Sequence, residues 1–351
     1  MSSQNGSGIA FCLRSEESQD HFRLLELPPE LLQLVTSANP PVLQFKSAAS
    51  TASLAAGAGA VICTPDKTYN IRQVNTSNSV YICQPVQQAA DDGDGGLTSP
   101  RLQAVAKCGF TLELSHHSNA SAGSYLKAAL PLYSPIEASS SREPRSKQMV
   151  FDDIPLSQAE CEQAWTDLAC FETVEPINCF LPSAGAKIAA WHAILRQATA
   201  QDIDLTMPIS GEHLARSVDN DEDWPQELSH ALLRSLSGTS EGHILLDEAR
   251  TLRNIGVDSL AALSQARGSV ALSDWLDAWR DLMPERWREK VSQKLLPPDS
   301  WKTLSNGSVA LNADGASSTN ADLGSSAPRA KSTLGAKRKW HDKFRASKKA
   351  A

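Results

Sequence analysis

The first 130 residues show the short hydrophobic period of β-structure. Residues 61–63 (VIC) form a compact apolar run, residues 69–76 alternate in polarity, and residues 80–83 (VYIC) follow a Ser-Asn-Ser group at 77–79. Short runs of β-branched and aromatic residues bounded by Pro, Asp, Asn and Ser are typical of antiparallel hairpins. Residues 60–85 are therefore predicted to form three short strands with a turn at 77–79.

Similar patterns on both sides predict further short elements. Phe11–Leu13, Val42–Lys46 and Leu102–Ser115 predict strands, and Pro28-Pro29 followed by Glu30 predicts the start of a short helix. The spacing of Tyr125, Leu126 and Leu130 predicts another short helix. Residues 134–147 combine Ser, Pro and charge without apolar periodicity, which is typical of a linker. We therefore assign a β-rich domain to 1–133 and a linker to 134–150.

After the linker the apolar period lengthens to that of helices. Ser157 and Glu160 form a predicted capping box, and short helices with strand-like runs between them follow, at 171–174 and 242–247 among others. Predicted helices open at 180–183, 210, 226, 248 (ending at Gly256), Ser273 and Pro284. This recurrence predicts tandem winged-helix modules at 151–205, 206–262 and, in part, 263–298.

Charge is distributed unevenly. The formal net charge of −7 gives no general attraction to nucleic acid, and the composition of 299–351 predicts a disordered tail. The last fifteen residues, however, carry seven Lys or Arg against one Asp. Such a segment is consistent with a nuclear import signal and with salt-dependent phosphate contacts, and both interpretations stay open. The candidate nucleic-acid-binding residues are Lys337, Arg338, Lys339, Trp340, Lys343 and Arg345.

Searches for catalytic chemistry find nothing. The chain has no Gly-rich phosphate loop, no G-x-S-x-G and no H-E-x-x-H, its seven cysteines form no C-x-x-C pair, and His116-His117 has no third ligand at suitable spacing. An odd cysteine count without a signal peptide or a membrane-length apolar run predicts a soluble protein in a reducing compartment. We predict no enzymatic activity, metal or cofactor. Most Trp residues are predicted core, whereas Trp301 and Trp340 are candidates for partner or nucleic-acid contact.

The β-rich domain is a candidate subunit interface. Short strands that the rest of the chain covers only in part leave open sheet edges. Proteins often protect such edges by pairing them with another chain. The candidate partner-binding residues are Val61, Ile62, Tyr69, Ile71, Val74, Val80, Tyr81 and Ile82.

The run CTPDKTYNIRQVNTSNSVYIC at 63–83 resembles the Dcc family. Members of that family are the sister-chromatid-cohesion subunit of the alternative clamp loader, which also contains the chromosome-transmission-fidelity subunits. In that family a Cys-Thr-x-Asp-Lys-Thr-Tyr run leads into Arg-Gln-Val-x-x-Ser-Asn-Ser, as at 63–69 and 72–79 here. The run FRLLELPPELLQLV at 22–35 is similar to the family's opening segment.

This resemblance implies a non-catalytic nuclear subunit that helps to load or unload the sliding clamp (PCNA) and supports sister chromatid cohesion. It implies an α+β fold whose β-barrel-like N-terminal domain is completed by the small chromosome-transmission-fidelity subunit, with the C-terminal end of the large subunit added. Winged-helix modules would bind single- and double-stranded DNA. Other implied partners are the replication factor C small subunits and the catalytic subunit of DNA polymerase epsilon.

The alternative is a helix-turn-helix transcription regulator. A base-reading helix carries Arg, Lys, Asn or Gln near its start. The candidate helices at 183–197 and 226–236 begin with Ser-Ala-Gly-Ala-Lys and Gln-Glu-Leu-Ser-His, which are poorly suited to reading bases.

Overall fold

The computed structural model describes residues 10–13, 22–47, 59–86, 101–117, 122–134, 143–209, 225–238, 244–297, 300–304 and 307–312. The helices in these ranges are Pro29–Val35 (α1), Ala122–Ala129 (α2), Lys147–Asp152 (α3), Gln158–Asp167 (α4), Ala184–Ala200 (α5), Gln226–Leu236 (α6), Glu248–Arg267 (α7), Leu272–Asp281 (α8) and Glu285–Arg288 (α9), with a 3-10 turn at Gln293–Leu295. The strands are Ala10–Leu13 (β1), Leu24–Glu26 (β2), Gln44–Lys46 (β3), Val61–Cys63 (β4), Thr68–Val86 (β5), Arg101–His116 (β6), Leu132–Tyr133 (β7), Phe171–Val174 (β8), Ile177–Pro182 (β9), Val270–Ala271 (β10), Trp301–Thr303 (β11) and Ser308–Leu311 (β12).

A six-stranded sheet forms the N-terminal part, in the order β1-β6-β5-β4-β3, with β2 also pairing along β6. The long strands β5 and β6 pair antiparallel, while β1 and β2 run parallel to β6. None of the sheets made by the described strands closes into a barrel, so the class is mixed α+β with open sheets.

The turn predicted at 77–79 is wrong, because β5 continues through it. Asn75 pairs with Phe110 and Val80 pairs with Cys108, so four residues of β5 lie opposite the single Gly109 of β6. The polar Ser-Asn-Ser group is therefore absorbed as a bulge inside one long ladder. A bulge keeps the apolar residues on both sides of it in register with β6, whereas a turn would have reversed the chain.

At the start of the helical part, the predicted capping box is confirmed and the predicted linker is shorter than expected. The Ser157 hydroxyl accepts from the Glu160 amide, and the Glu160 carboxylate accepts from the Ser157 amide at 3.1 Å, which is the predicted capping box. However, α3 begins after its N-cap Ser146, inside the segment 134–150 predicted as a linker, and buries Val150. Its apolar face is too short to show a period in sequence.

One arrangement occurs three times among the described elements. The first helical unit (122–182) runs α2, β7, α3, α4, β8, β9, and its sheet order is β7-β9-β8. The second unit (184–246) begins with α5 and has bridges of Ile209 with Ile244 and of Ser237 with Leu246. The third unit (248–311) runs α7, β10, α8, α9, β11, β12, with the order β10-β12-β11. In the first and third units the last strand lies between the other two, and in the second unit residues 244–246 bridge to both 209 and 237.

Three helix boundaries differ from the sequence predictions. The α7 helix does not stop at Gly256 but continues to Arg267, and Gly256 lies buried where the Trp279 ring packs against it. The helix predicted to open at 180–183 begins only after Ser183, because 177–182 form the strand β9. The N-cap of α8 is Ala271 and not Ser273. In each case a tertiary contact or strand pairing decides the boundary.

The predicted disorder of 299–351 is wrong for its first part. Residues 301–303 and 308–311 form β11 and β12, and Val309 is fully buried against the helical core. The segment looks too polar to order itself, but pairing with the distant β10 supplies the missing contacts. Residues 313–351 and the helix predicted at 210–218 lie outside the described residues.

Candidate interaction surfaces

The structure places the predicted partner-binding residues in different environments. Val61, Ile62 and Tyr69 are buried within the chain, so their side chains already have partners. Ile71, Val74 and Ile82 are half-buried, and only Val80 and Tyr81 are exposed. Because β4 lies between β3 and β5, its apolar run belongs to the sheet's own core.

The most exposed apolar side chains of the sheet were missed by the sequence reasoning. Val42 is 80% and Phe45 70% exposed. Phe45 lies on β3, the edge strand next to β4, and Val42 lies two residues before that strand begins. Phe45 pairs with the fully buried Ile62, so it extends the buried apolar face of the sheet out to its rim.

The strand β5 is also only partly paired along one of its two sides. On the side opposite β6, the described part of the chain pairs β5 with β4 only at Thr68–Asn70. The Ile71 amide still donates to the Ala60 carbonyl at 3.2 Å, which directs alternate backbone groups of β5 toward this side. Gln73 and Asn75 continue the same edge. An edge of this kind can accept a strand from another chain.

A cavity of about 310 Å³ lies where the three helical units meet. Its charged lining includes Lys187 of α5 and Asp258 of α7, whose side chains form an ion pair at 3.3 Å and are only 17% and 16% exposed. Burial raises the pKa of Asp258, an effect opposed by Lys187. Burial lowers the pKa of Lys127, another lining residue, and the nearby Lys187 lowers it further. The buried ion pair joins the first turns of α5 to the middle of α7.

The first helical unit buries three cysteines. Burial raises the pKa of Cys161, Cys170 and Cys179 to about 12, so these thiols stay protonated at neutral pH. Across the described ranges, no three His, Cys, Asp or Glu side chains are placed to hold a metal ion.

The comparison with protein families decides the identity. The family model for sister chromatid cohesion protein Dcc1 matches residues 22–312, which is more than four fifths of the chain and includes all three helical units and every strand of the N-terminal sheet except β1. The chain belongs to the Dcc1 family. This confirms the resemblance seen in the sequence, and it assigns the chain to an accessory protein family of sister chromatid cohesion, not a known enzyme family. No curated protein matches the chain.

Basic residues of this Dcc1-family chain collect at the end of the third unit. The exposed basic residues are Arg286 and Arg288 of α9, Lys290 after it, Lys294 of the 3-10 turn and Lys302 of β11. Arg286 pairs with Asp204 at 3.3 Å and Lys290 with Glu248 at 2.8 Å. Lys294 and Lys302 form no ion pair with any residue that the structure describes. By contrast, α4 in the first unit carries acidic residues and no Lys or Arg.

Two aromatic residues predicted as contact candidates have different outcomes. Trp301 packs on the core of the third unit, with its ring 6.3 Å from that of Trp275, so it is not a free stacking platform. Trp340 lies outside the described residues, as do Lys337, Arg338, Lys339, Lys343 and Arg345.

Every helix within the described ranges is too short or too polar to cross a membrane.

Proposed function

We propose that the chain is a non-catalytic accessory subunit of an alternative replication factor C clamp loader that acts in sliding-clamp loading or unloading and in cohesion. The observation that carries this proposal is the Dcc1 family match over 22–312. Its partners would be the small and large chromosome-transmission-fidelity subunits and the replication factor C small subunits. It would also link the loader to the catalytic subunit of DNA polymerase epsilon, in the nucleus. Purification of the tagged chain from nuclear extract tests this, and absence of stoichiometric clamp-loader subunits would refute it.

The N-terminal sheet is the proposed interface with the small subunit. Support comes from the incomplete strand pairing of β5 and from the exposed Val42 and Phe45 at the β3 edge. A strand of the small subunit would pair with an open edge and carry the sheet toward a closed barrel. Apolar side chains at the rim would then become buried, which is the usual source of affinity at such interfaces.

Replacing Val42 and Phe45 by serine is expected to weaken binding of the small chromosome-transmission-fidelity subunit by roughly 10- to 100-fold, since two apolar contacts are lost. Titration calorimetry with the purified subunit measures the change. The matched control is Val174→Ser, which removes a side chain 67% exposed on the hairpin of the first unit. Unchanged affinity in the double variant would place the interface elsewhere.

The three helical units are proposed to be winged-helix modules. The first and third units share the order of helix, strand, helices and hairpin, with the last strand in the middle of each small sheet. The described part of the second unit has two helices and two bridges that meet at 244–246 in the same way. We propose module boundaries of 122–182, 184–246 and 248–311. The starts predicted from sequence, 151, 206 and 263, lie later in each unit.

DNA contact is proposed for the third module. Its exposed Arg288, Lys294 and Lys302 precede or lie on its hairpin, whereas α6 of the second module is packed against α4, α5, β8 and α7. Such basic residues neutralise phosphates without reading sequence. The tail residues 337–345 would add either phosphate contacts or nuclear import.

Exchanging Lys294 and Lys302 for glutamate is expected to weaken binding to duplex and single-stranded DNA and to reduce the salt dependence by about two phosphate contacts. Fluorescence anisotropy across a salt series measures both quantities. Arg72→Glu, on the exposed face of the sheet, is the matched charge reversal and should leave DNA binding nearly unchanged. A tight preferred motif in a selected-sequence assay would instead favour a transcription regulator.

A further inference from the structure

Hydrogen bonds join the N-terminal sheet to the start of the helical part. The Lys46 ammonium of β3 donates to the carbonyl oxygens of Phe151 and Leu156 at 3.1 and 3.0 Å. These two carbonyls flank the loop between α3 and α4. An ammonium that binds two backbone carbonyls holds the loop to the sheet through a charge-assisted contact.

Thr68 forms the centre of the same contact from β5. Its side chain is fully buried, and its hydroxyl donates to Glu160 Oε2 at 2.5 Å while accepting from the Ser157 amide at 2.8 Å. Beside it, the Ala159 amide donates to the Pro65 carbonyl at 3.0 Å. Both hydrogen-bonding roles of the hydroxyl are thus used between the sheet and α4.

Glu160 serves two purposes at once. Its Oε2 accepts from the Ser157 amide at 3.1 Å, which completes the capping box, and also from the hydroxyls of Ser157 at 2.6 Å and of Thr68. The start of α4 is therefore stabilised partly by a residue more than 80 positions away in the sheet. Because this network is buried and satisfied, separating sheet and helix would leave several polar groups without partners.

We propose that Lys46, Thr68, Ser157 and Glu160 form a latch that makes the N-terminal sheet and the first helical unit one rigid body. The start of α4, which precedes the hairpin of that unit, is then occupied by the chain's own sheet and is closed to nucleic acid. A protein seated on the sheet would also set the orientation of the helical units. That last consequence rests on the proposed function, whereas the rigid coupling does not.

The test measures a distance between the two parts in the full chain without any partner. Spin labels are placed on the exposed native Cys83 of β5 and on Gln163→Cys, an exposed position of α4 in the first unit, in a Cys12→Ser background. Pulsed electron spin resonance should give one narrow distance distribution for the otherwise unchanged chain. A broad distribution there would overturn the proposal.

Two variants test whether the latch residues cause this rigidity. Thr68→Val keeps the side-chain shape but removes the hydroxyl, and Lys46→Met keeps most of the stem but removes the ammonium; their combination should broaden the distribution at least twofold. Thr199→Val is the control, because that hydroxyl only bonds Leu195 one turn earlier in α5. Circular dichroism must show unchanged helix content in the variants, and if the combined variant does not fold, Lys46→Met alone is measured. A distribution as narrow as that of the control would refute the latch, and it would leave the proposed clamp-loader role untouched.

Discussion

Replacing Lys187 by methionine is expected to destabilise the protein by about 3 kcal/mol at pH 8. The substitution leaves the carboxylate of Asp258, only 16% exposed, with no cationic hydrogen-bond partner among the described residues. Breaking one side of a buried ion pair is costly because the remaining charge stays desolvated. Urea denaturation at fixed pH measures the change in the free energy of unfolding.

The loss of stability in the Lys187→Met variant should depend on pH. Burial already raises the pKa of Asp258, and loss of Lys187 raises it further. In the Lys187→Met variant Asp258 therefore binds a proton more strongly when folded than when unfolded, so stability is present at low pH and lost as pH rises through the folded pKa. The destabilisation should consequently be smaller at pH 5.5 than at pH 8.

Two further variants serve as controls for the pair. Asp258→Leu should also destabilise the protein, because it leaves the Lys187 ammonium without its buried carboxylate partner. The double variant Lys187→Met with Asp258→Leu should be close to the parent chain in stability, since a buried pair replaced by apolar residues is often neutral. Equal losses in all three variants would show that the cavity depends on packing and not on charge.

Replacing Gly256 by alanine is expected to destabilise the protein by about 2 kcal/mol, although alanine favours helices over glycine by about 1 kcal/mol. An added Cβ would lie 2.5 Å from the Trp279 ring. That ring is fully buried and stacked on Trp275 at 5.4 Å, so it cannot move alone. The Gly256 carbonyl also accepts from the Trp275 indole at 3.3 Å, which holds the two helices close.

A double-mutant cycle isolates this contact. In a Trp279→Leu background the space for the Cβ exists, so Gly256→Ala should there be neutral or stabilising. Gly185→Ala in α5 is the matched control, because no heavy atom lies within 4 Å of its added Cβ, and it should stabilise the protein by up to about 1 kcal/mol. The same loss from Gly256→Ala in both backgrounds would contradict the proposed clash. Thermal and urea unfolding of the four proteins provide the data.

Local signals were sufficient where the decisive atoms lie a few residues apart. The Ser157–Glu160 capping box, the α1 helix beginning at Pro29 and the apolar face of Trp275 and Trp279 are all correctly predicted, because each depends on spacing within one or two turns. The same reasoning failed at Gly256, where a helix-breaking residue is retained because a tryptophan from another helix needs the space.

The candidate interface was predicted only in outline. Alternation along residues 61–82 correctly indicated strands, but it could not show that β4 lies inside the sheet and β3 at its edge. The apolar run at 61–63 therefore became core, while the less regular Val42 and Phe45 remained exposed. Which side of a strand pairs depends on residues far away in sequence, and no local pattern encodes it.

The sequence alone determined the β-rich first part, the helical second part and the Dcc family resemblance, since strand alternation, helix caps and a short motif are all local properties. Tertiary structure alone decided that residues 301–311 are ordered and that the sheet is latched to α4. It also decided that Lys187 meets Asp258 in a shared cavity. The physical reason is that burial, strand order and ion pairing arise between residues tens of positions apart, whose approach depends on the packing of the whole chain.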